Sequence, residues 1–261
     1  MNHSRYAELV KQMNPIDDTF FQKMAESLPF CQEILRVFLE DDSLKITGVQ
    51  PQQSLKNLQG RSVILDAHCL SHDGKHFNVE VQKSDDDNHQ KRVRYNSSCI
   101  TTNITDPGSK FENVPDVCIV YISVRDIFKS GKSLYHVDRK IRENGKTVFN
   151  GLTEIYINAE VKDGSKASSL MTVFTDNDAY DTINFPETSK RKRHFKEDAK
   201  GVASMCKITE EIRAEGKAEG KVEILKSLVD DGIITLKDAA LKINVTTEQL
   251  QTMFSNLESV Q

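Results

Sequence analysis

Cysteine is scarce in this sequence and falls into no pairing pattern. Five residues (Cys31, Cys69, Cys99, Cys118 and Cys206) are odd in number, widely spaced and without a CxxC step. That argues against a disulfide framework and a structural zinc site, and makes a reducing cytoplasm the simplest home. Long hydrophobic runs are missing too. No stretch approaches the roughly 18–20 apolar residues of a membrane span, and the opening MNHSRYAELV lacks the apolar core of a signal peptide, so no membrane partner is expected. Positive charge is in short supply, with 35 Lys and Arg against 39 Asp and Glu and a net charge of −4. Any affinity for nucleic acid must therefore rest on local patches. No GxSxG elbow, Walker loop or dinucleotide fingerprint occurs, and no repeat or low-complexity tract.

What is present suits a sizeable core: 38% of the 261 residues are apolar and 28% charged. From Pro15 to Glu40, IDDTFFQKMAESL and FCQEILRVFLEDD read as two helical stretches, with Phe21, Met24 and Leu28 at helical spacing and Pro29 at the join. SVILDAHCLS, HDGK and HFNVEVQK then form the pattern of two strands about a Gly-containing turn. DDDNHQKRVRYNSSCITTN is polar with helical potential, PDVCIVYISV reads as a buried central strand, and GLTEIYINAEV as a further strand. That order predicts an α/β sandwich with a mixed sheet. Composition shifts near residue 188, which divides the chain into 1–188 and an extension, 189–261. The extension holds the basic SKRKRHFKED, a charged helical stretch weakened by Gly216 and Gly220 at roughly 1 kcal/mol each, and two short helices around Asn244–Val245. Thr246 and Gln249 are spaced for a capping box, and Val245 for a staple to Leu250.

The hairpin carries the chemistry. By alternation, Ile64, Asp66 and His68 share one face of the first strand, against Val63, Leu65, Ala67 and Cys69. In the second, Asn78, Glu80 and Gln82 oppose Phe77, Val79 and Val81. A three-residue loop, His72-Asp73-Gly74 with a left-handed glycine, sets Asp66 opposite Glu80; a two-residue Asp73-Gly74 turn would part them to opposite faces. The odd loop is the expectation. Two carboxylates roughly 5 Å apart across a ladder repel unless a cation sits between them, and oxygen-only ligands suit Mg²⁺ or Mn²⁺. The strand pattern by itself leaves open that both acids simply face solvent.

The string LDAHCLSHDGKHFNVEVQK, with Asp66, a turn and then Glu80-Val81-Gln82, resembles the PD-(D/E)xK nuclease motif in an ExQ variant. With DDTFF ahead of it and KRVRY behind, residues 15–160 resemble the Rpn family of recombination-promoting nucleases and transposases. The resemblance implies a restriction-endonuclease-like mixed β-sheet flanked by helices, with a helical C-terminal extension. It also implies a metal-dependent DNA endonuclease that hydrolyses phosphodiester bonds, with a part in recombination. On that reading Asp66, Glu80 and the Val81 carbonyl hold Mg²⁺, or Mn²⁺. Gln82 stands where the broader superfamily has lysine; it can orient a water or a phosphate oxygen but brings no charge. A catalytically weak or inactive DNA-binding protein on the same fold is the alternative.

Asp18 resembles the extra acid of related nucleases, with Asp17 as competitor, although a helix N-terminus favours acids in any case. Lys91, Arg92, Arg94 and Tyr95 stand where the family has an Arg/Tyr-containing helix flanking the site, which implies phosphate contacts; a solvated helix face is the other reading. Lys190, Arg191, Lys192, Arg193 and Lys196 could track a second stretch of backbone or form a solvated run. The terminal helices suit homo-oligomerisation or plain packing better than DNA reading. His68, Cys69, His72 and His76 are expected on different faces or in the turn, which disfavours zinc.

Overall fold

Two helices joined at Pro29 lead the chain into its sheet. In a computed structural model, which describes residues 2–57, 61–84 and 88–260, α1 (Asn2–Gln12) precedes α2 (Asp18–Ala25) and α3 (Leu28–Leu39). Ser27 caps α3 by accepting the Phe30 N–H, and Pro29 sits in its first turn, where a missing N–H costs nothing. Strands β1 (Ile46–Leu55), β2 (Val63–Ser71) and β3 (His76–Gln82) form an antiparallel meander. After α4 (His89–Ile104), β4 (Val117–Ser123) pairs parallel to β3, β6 (Leu152–Asn158) parallel to β4, and β5 (Leu134–Val137) antiparallel to β6. The six-stranded order is β1-β2-β3-β4-β6-β5. The mixed sheet is therefore as the sequence predicts. Residues 85–87, which open the expected polar helix, lie outside the described residues.

Helix α4 packs on one side. Its Val93, Cys99 and Ile100 cluster with Val63, Leu65, Ile119, Tyr121 and Tyr156. Phe20, Phe21, Phe30 and Phe174 form a separate aromatic group in which α2 and α3 meet α5 (Lys166–Thr175) and, through Phe195, α6 (Pro186–Glu197). Strand β1 has no strong strand signal, carrying Gly48, Pro51 and three glutamines, and Gln52 takes a left-handed φ of 53°. It holds by pairing at the edge of the sheet, where proline and irregularity are tolerated.

The chain divides into two compact units, Met1–Met205 and Cys206–Gln261, where the sequence set the division at residue 188. The basic segment is the reason. It forms α6, and three of its cations turn inward while Lys190 and Arg193 stay exposed: Lys192 has no exposed surface and donates Nζ to the carbonyls of Val173, Asp176 and Ala179. Arg191 donates to the carbonyls of Lys23 and Met24, and Lys196 to Met13 O at 3.1 Å. Lys192, Arg191 and Lys196 thereby close the C-terminal ends of α5, α2 and α1 in turn, which leave carbonyls without helical partners.

Helix α7 (Ala199–Asp230) passes through Gly216 and Gly220 unbroken. Within the second unit Leu225, Ala239, Ala240 and Leu250 make a small core between the end of α7, α8 (Leu236–Ile243) and α9 (Thr247–Val260). Asn244 ends α8 in the left-handed conformation. The capping box forms as spaced: Thr246 N–H donates to Gln249 Oε1 at 2.9 Å, and Gln249 N–H to Thr246 Oγ1 at 3.2 Å.

Candidate active site

The odd-length turn fixes the site. Gly74 takes φ +81°, Ser71 N–H donates to Lys75 O at 3.0 Å, and the ladder runs from Leu70 opposite His76 to Ala67 opposite Val79. One step further that register sets Asp66 opposite Glu80, in a position where neighbouring strands exchange no backbone bonds and side chains stand closest. The regular ladder then stops. Its next rung would join Val81 to Leu65, but Val81 N–H donates instead to Asp66 Oδ2 at 2.9 Å. The strict alternation expected along β2 breaks here as well: Val63 and Leu65 join the α4 cluster, whereas Cys69 meets Cys31 of α3. A residue's N–H and C=O point to the same side of a strand, so the Val81 carbonyl also faces the gap between β2 and β3.

Three carboxylates are linked in series around that gap, Glu80 feeling the charge of Asp66 and Asp66 that of Asp18. Burial pushes Glu80, 2% exposed, up to about 8; the Asp66 charge adds to this, and the hydrogen bond from Asn78 and the charge of Arg92 oppose it. Burial likewise pushes Asp66 to about 6, against the Val81 N–H, with the Asp18 charge adding and Arg92 opposing. Asp18, first residue of α2, is raised by burial, opposed by Arg92 and helped by Asp17. Asp17 is engaged elsewhere, accepting Asn14 N–H at 2.8 Å and pairing with Lys83. Of the two candidate acids, Asp18 is the one that faces Asp66. Arg92, half-buried on α4, is the counter-charge common to all three acids rather than a cation turned outward.

The other expected residues separate by environment. Gln82 is half-buried at the end of β3 and donates Nε2 to Ser84 Oγ. Lys91 and Arg94 are exposed on α4. Tyr95 has a fastening role: its hydroxyl donates to Arg61 O and accepts from Asn57 Nδ2 at 3.2 Å. His68 and His76, expected apart, stack with Nε2 and Nδ1 2.9 Å apart; burial and then the His76 charge lower His68 to about 4. Sequence reasoning missed Asn78. It is fully buried, donates Nδ2 to Glu80 Oε1 at 2.7 Å, and leaves its Oδ1 with no hydrogen-bond partner among the described residues. Its signal was an amide two residues before Glu80, on the same side of the strand.

Among the described residues no three His, Cys, Asp or Glu side chains form a ready-made metal cage. The donor set fits a hard cation all the same. It consists of two carboxylates, a strand carbonyl released from its ladder and a buried amide oxygen without a donor, and Mg²⁺ typically takes one or two carboxylates and keeps several waters. Neighbouring buried carboxylates share a proton near neutrality, and it is that proton a divalent cation displaces.

A family model for the PD-(D/E)XK nuclease family transposases matches residues 21–219. Asp66, Glu80, Gln82 and all of α4 fall inside the match, and Asp18 just before it. No curated protein and no solved structure matches the chain.

Proposed function

Because the chain belongs to the PD-(D/E)XK nuclease family transposases, we propose that it is a Mg²⁺-dependent DNA endonuclease whose catalytic centre is the gap between β2 and β3. The observation that carries this reading is the Val81 N–H bond to Asp66 beside a buried, proton-holding Glu80. PD-(D/E)XK nucleases generally use divalent cations, and here Asp66, Glu80 and the Val81 carbonyl would hold the ion, with Mn²⁺ as a substitute. Such a cation, when bound, supplies Lewis acidity at the scissile phosphate and lowers the pKa of a coordinated water. Asn78 holds Glu80 Oε1 in place and Asp18 adds negative charge on the α2 side. Gln82 orients the attacking water or a phosphate oxygen through its amide, and Lys91 and Arg94 meet the backbone on either side. Attack at phosphorus breaks one P–O bond and leaves a phosphate and a hydroxyl end, the kind of break that initiates recombination. The proposed setting is the cytoplasm, and the α7–α9 unit is proposed to mediate self-association.

One observation favours a second reading, a DNA-binding protein with feeble or no activity: Gln82 stands in the lysine position, and the adjacent Lys83 is held by Asp17. Plasmid cleavage in Mg²⁺, Mn²⁺ or EDTA, wild type beside Asp66→Ala, tests the proposal. Metal-dependent nicking lost in the variant supports the enzyme, and binding without nicking supports the second reading.

A further inference from the structure

Between β5 and β6 the chain leaves the sheet as a two-stranded arm, 138–150. Val148 N–H donates to Arg139 O at 2.8 Å and Ile141 N–H to Lys146 O at 2.9 Å, Lys140 bridges Thr147, and Gly145 turns the tip at φ +70°. Almost every residue of the arm is exposed. Arg139 ties its base to β6, Nη2 lying 3.0 Å from Glu154 Oε1. An isolated two-stranded hairpin is marginal in water, and this one presents Phe149, 93% exposed.

The arm's charge says what covers it. It carries Arg139, Lys140, Arg142 and Lys146 against Asp138 and Glu143, in a chain that is net negative. An apolar protein surface would have to desolvate those cations to reach Phe149. A polyanion neutralises them and offers base faces to the ring. Position agrees. Glu80, Tyr121 and Tyr156 lie at one level of β3, β4 and β6, and β6 begins four residues earlier at Leu152. The foot of the arm is thus roughly 13 Å along and 10 Å across from Glu80, and the cations and Phe149 lie beyond the foot, within about one turn of duplex, roughly 34 Å.

We infer that this arm is a second DNA contact: Lys140, Arg142 and Lys146 bind backbone phosphates within about one turn of duplex from the cleavage site, and Phe149 stacks on an unpaired base. The inference rests on the nuclease reading for its substrate class, and it adds a preference for DNA with unpaired bases within a turn of the cut.

Full-length protein in EDTA, titrated by fluorescence anisotropy with a blunt duplex and the same duplex bearing a single-stranded flap, tests it. Changing Lys140, Arg142 and Lys146 together to Gln should weaken both probes at least tenfold and reduce the slope of log affinity against log salt by about 2–3. Phe149→Ala should weaken the flap probe roughly tenfold and leave the blunt duplex unchanged. Should the triple variant fail to match the wild-type melting curve, Phe149→Ala carries the test alone. Wild-type affinity and salt slope in both variants, or no DNA binding by the wild type, overturns the inference. The two proposals fail separately. A wild type that cleaves while arm variants bind normally keeps the enzyme and loses the arm; arm-dependent binding without cleavage does the reverse.

Discussion

The amide of Val81 donates to Asp66 Oδ2 at 2.9 Å where the ladder between β2 and β3 should have continued. A backbone donor thereby holds one acid of the proposed centre, and the Gln52 side chain of the edge strand adds a second hydrogen bond to it. Asp66→Ala should abolish Mg²⁺-dependent nicking while leaving the melting temperature in EDTA unchanged or raised, since the mutation removes a like charge beside Glu80. Unchanged nicking by the variant would place the activity elsewhere.

Glu80 makes the metal-free protein pH-sensitive in an unusual direction. Its carboxyl is raised on folding, from 4.5 to about 8, so between those values the native state binds more protons than the unfolded one. Stability from this group is fully present below about pH 4.5 and is lost as pH rises through about 8. Urea denaturation in EDTA should show a loss on the order of 5 kcal/mol across that window, and Glu80→Gln should flatten it. Adding Mg²⁺ should restore stability at the alkaline end, because the cation takes the place of the proton.

Gln82 discriminates the enzyme from the silent binder. Gln82→Ala should slow single-turnover cleavage on the order of 10²-fold, the scale for losing one preorganised donor, with DNA affinity in Ca²⁺ nearly unchanged. Gln82→Lys should retain or raise the rate. A wild type that binds without cutting, beside a Gln82→Lys variant that cuts, would identify a degenerate nuclease.

Lys192 predicts a purely structural phenotype inside a basic run. Removing its Nζ strands the carbonyls of Val173, Asp176 and Ala179. Lys192→Ala should therefore cost about 3 kcal/mol by urea denaturation, whereas Lys190→Ala, at an exposed position, should cost under about 0.5 kcal/mol.

The contrast between Glu80 and Lys192 marks how far the sequence could be read. The register of the β2–β3 hairpin, from Leu70 opposite His76 to Ala67 opposite Val79, was legible because Gly74 suits the left-handed position of a three-residue turn. The buried strand at 117–123 was legible from its β-branched run. Strand β1 was not, since edge pairing overrides the poor propensity of Gly48 and Pro51. Arg191, Lys192 and Lys196 look in sequence like a solvated patch; only the tertiary fold reveals the helix ends they close. Asn78 was hidden for a similar reason, as an amide in a strand declares its partner only once the strand is buried. The break at Asp66 was invisible too, because period-2 counting assumes a ladder that continues.

Lys192 also turns α6 into a built-in reporter of partial opening. An ammonium enclosed by three carbonyls is closed to amine-reactive reagents, while Lys190 beside it reacts at once. The rate at which Lys192 acquires label, read peptide by peptide in a mass spectrometer, then times how often α6 lifts from α5 under native conditions. Label arriving faster than global unfolding would mark α6 as a separately opening segment of the fold.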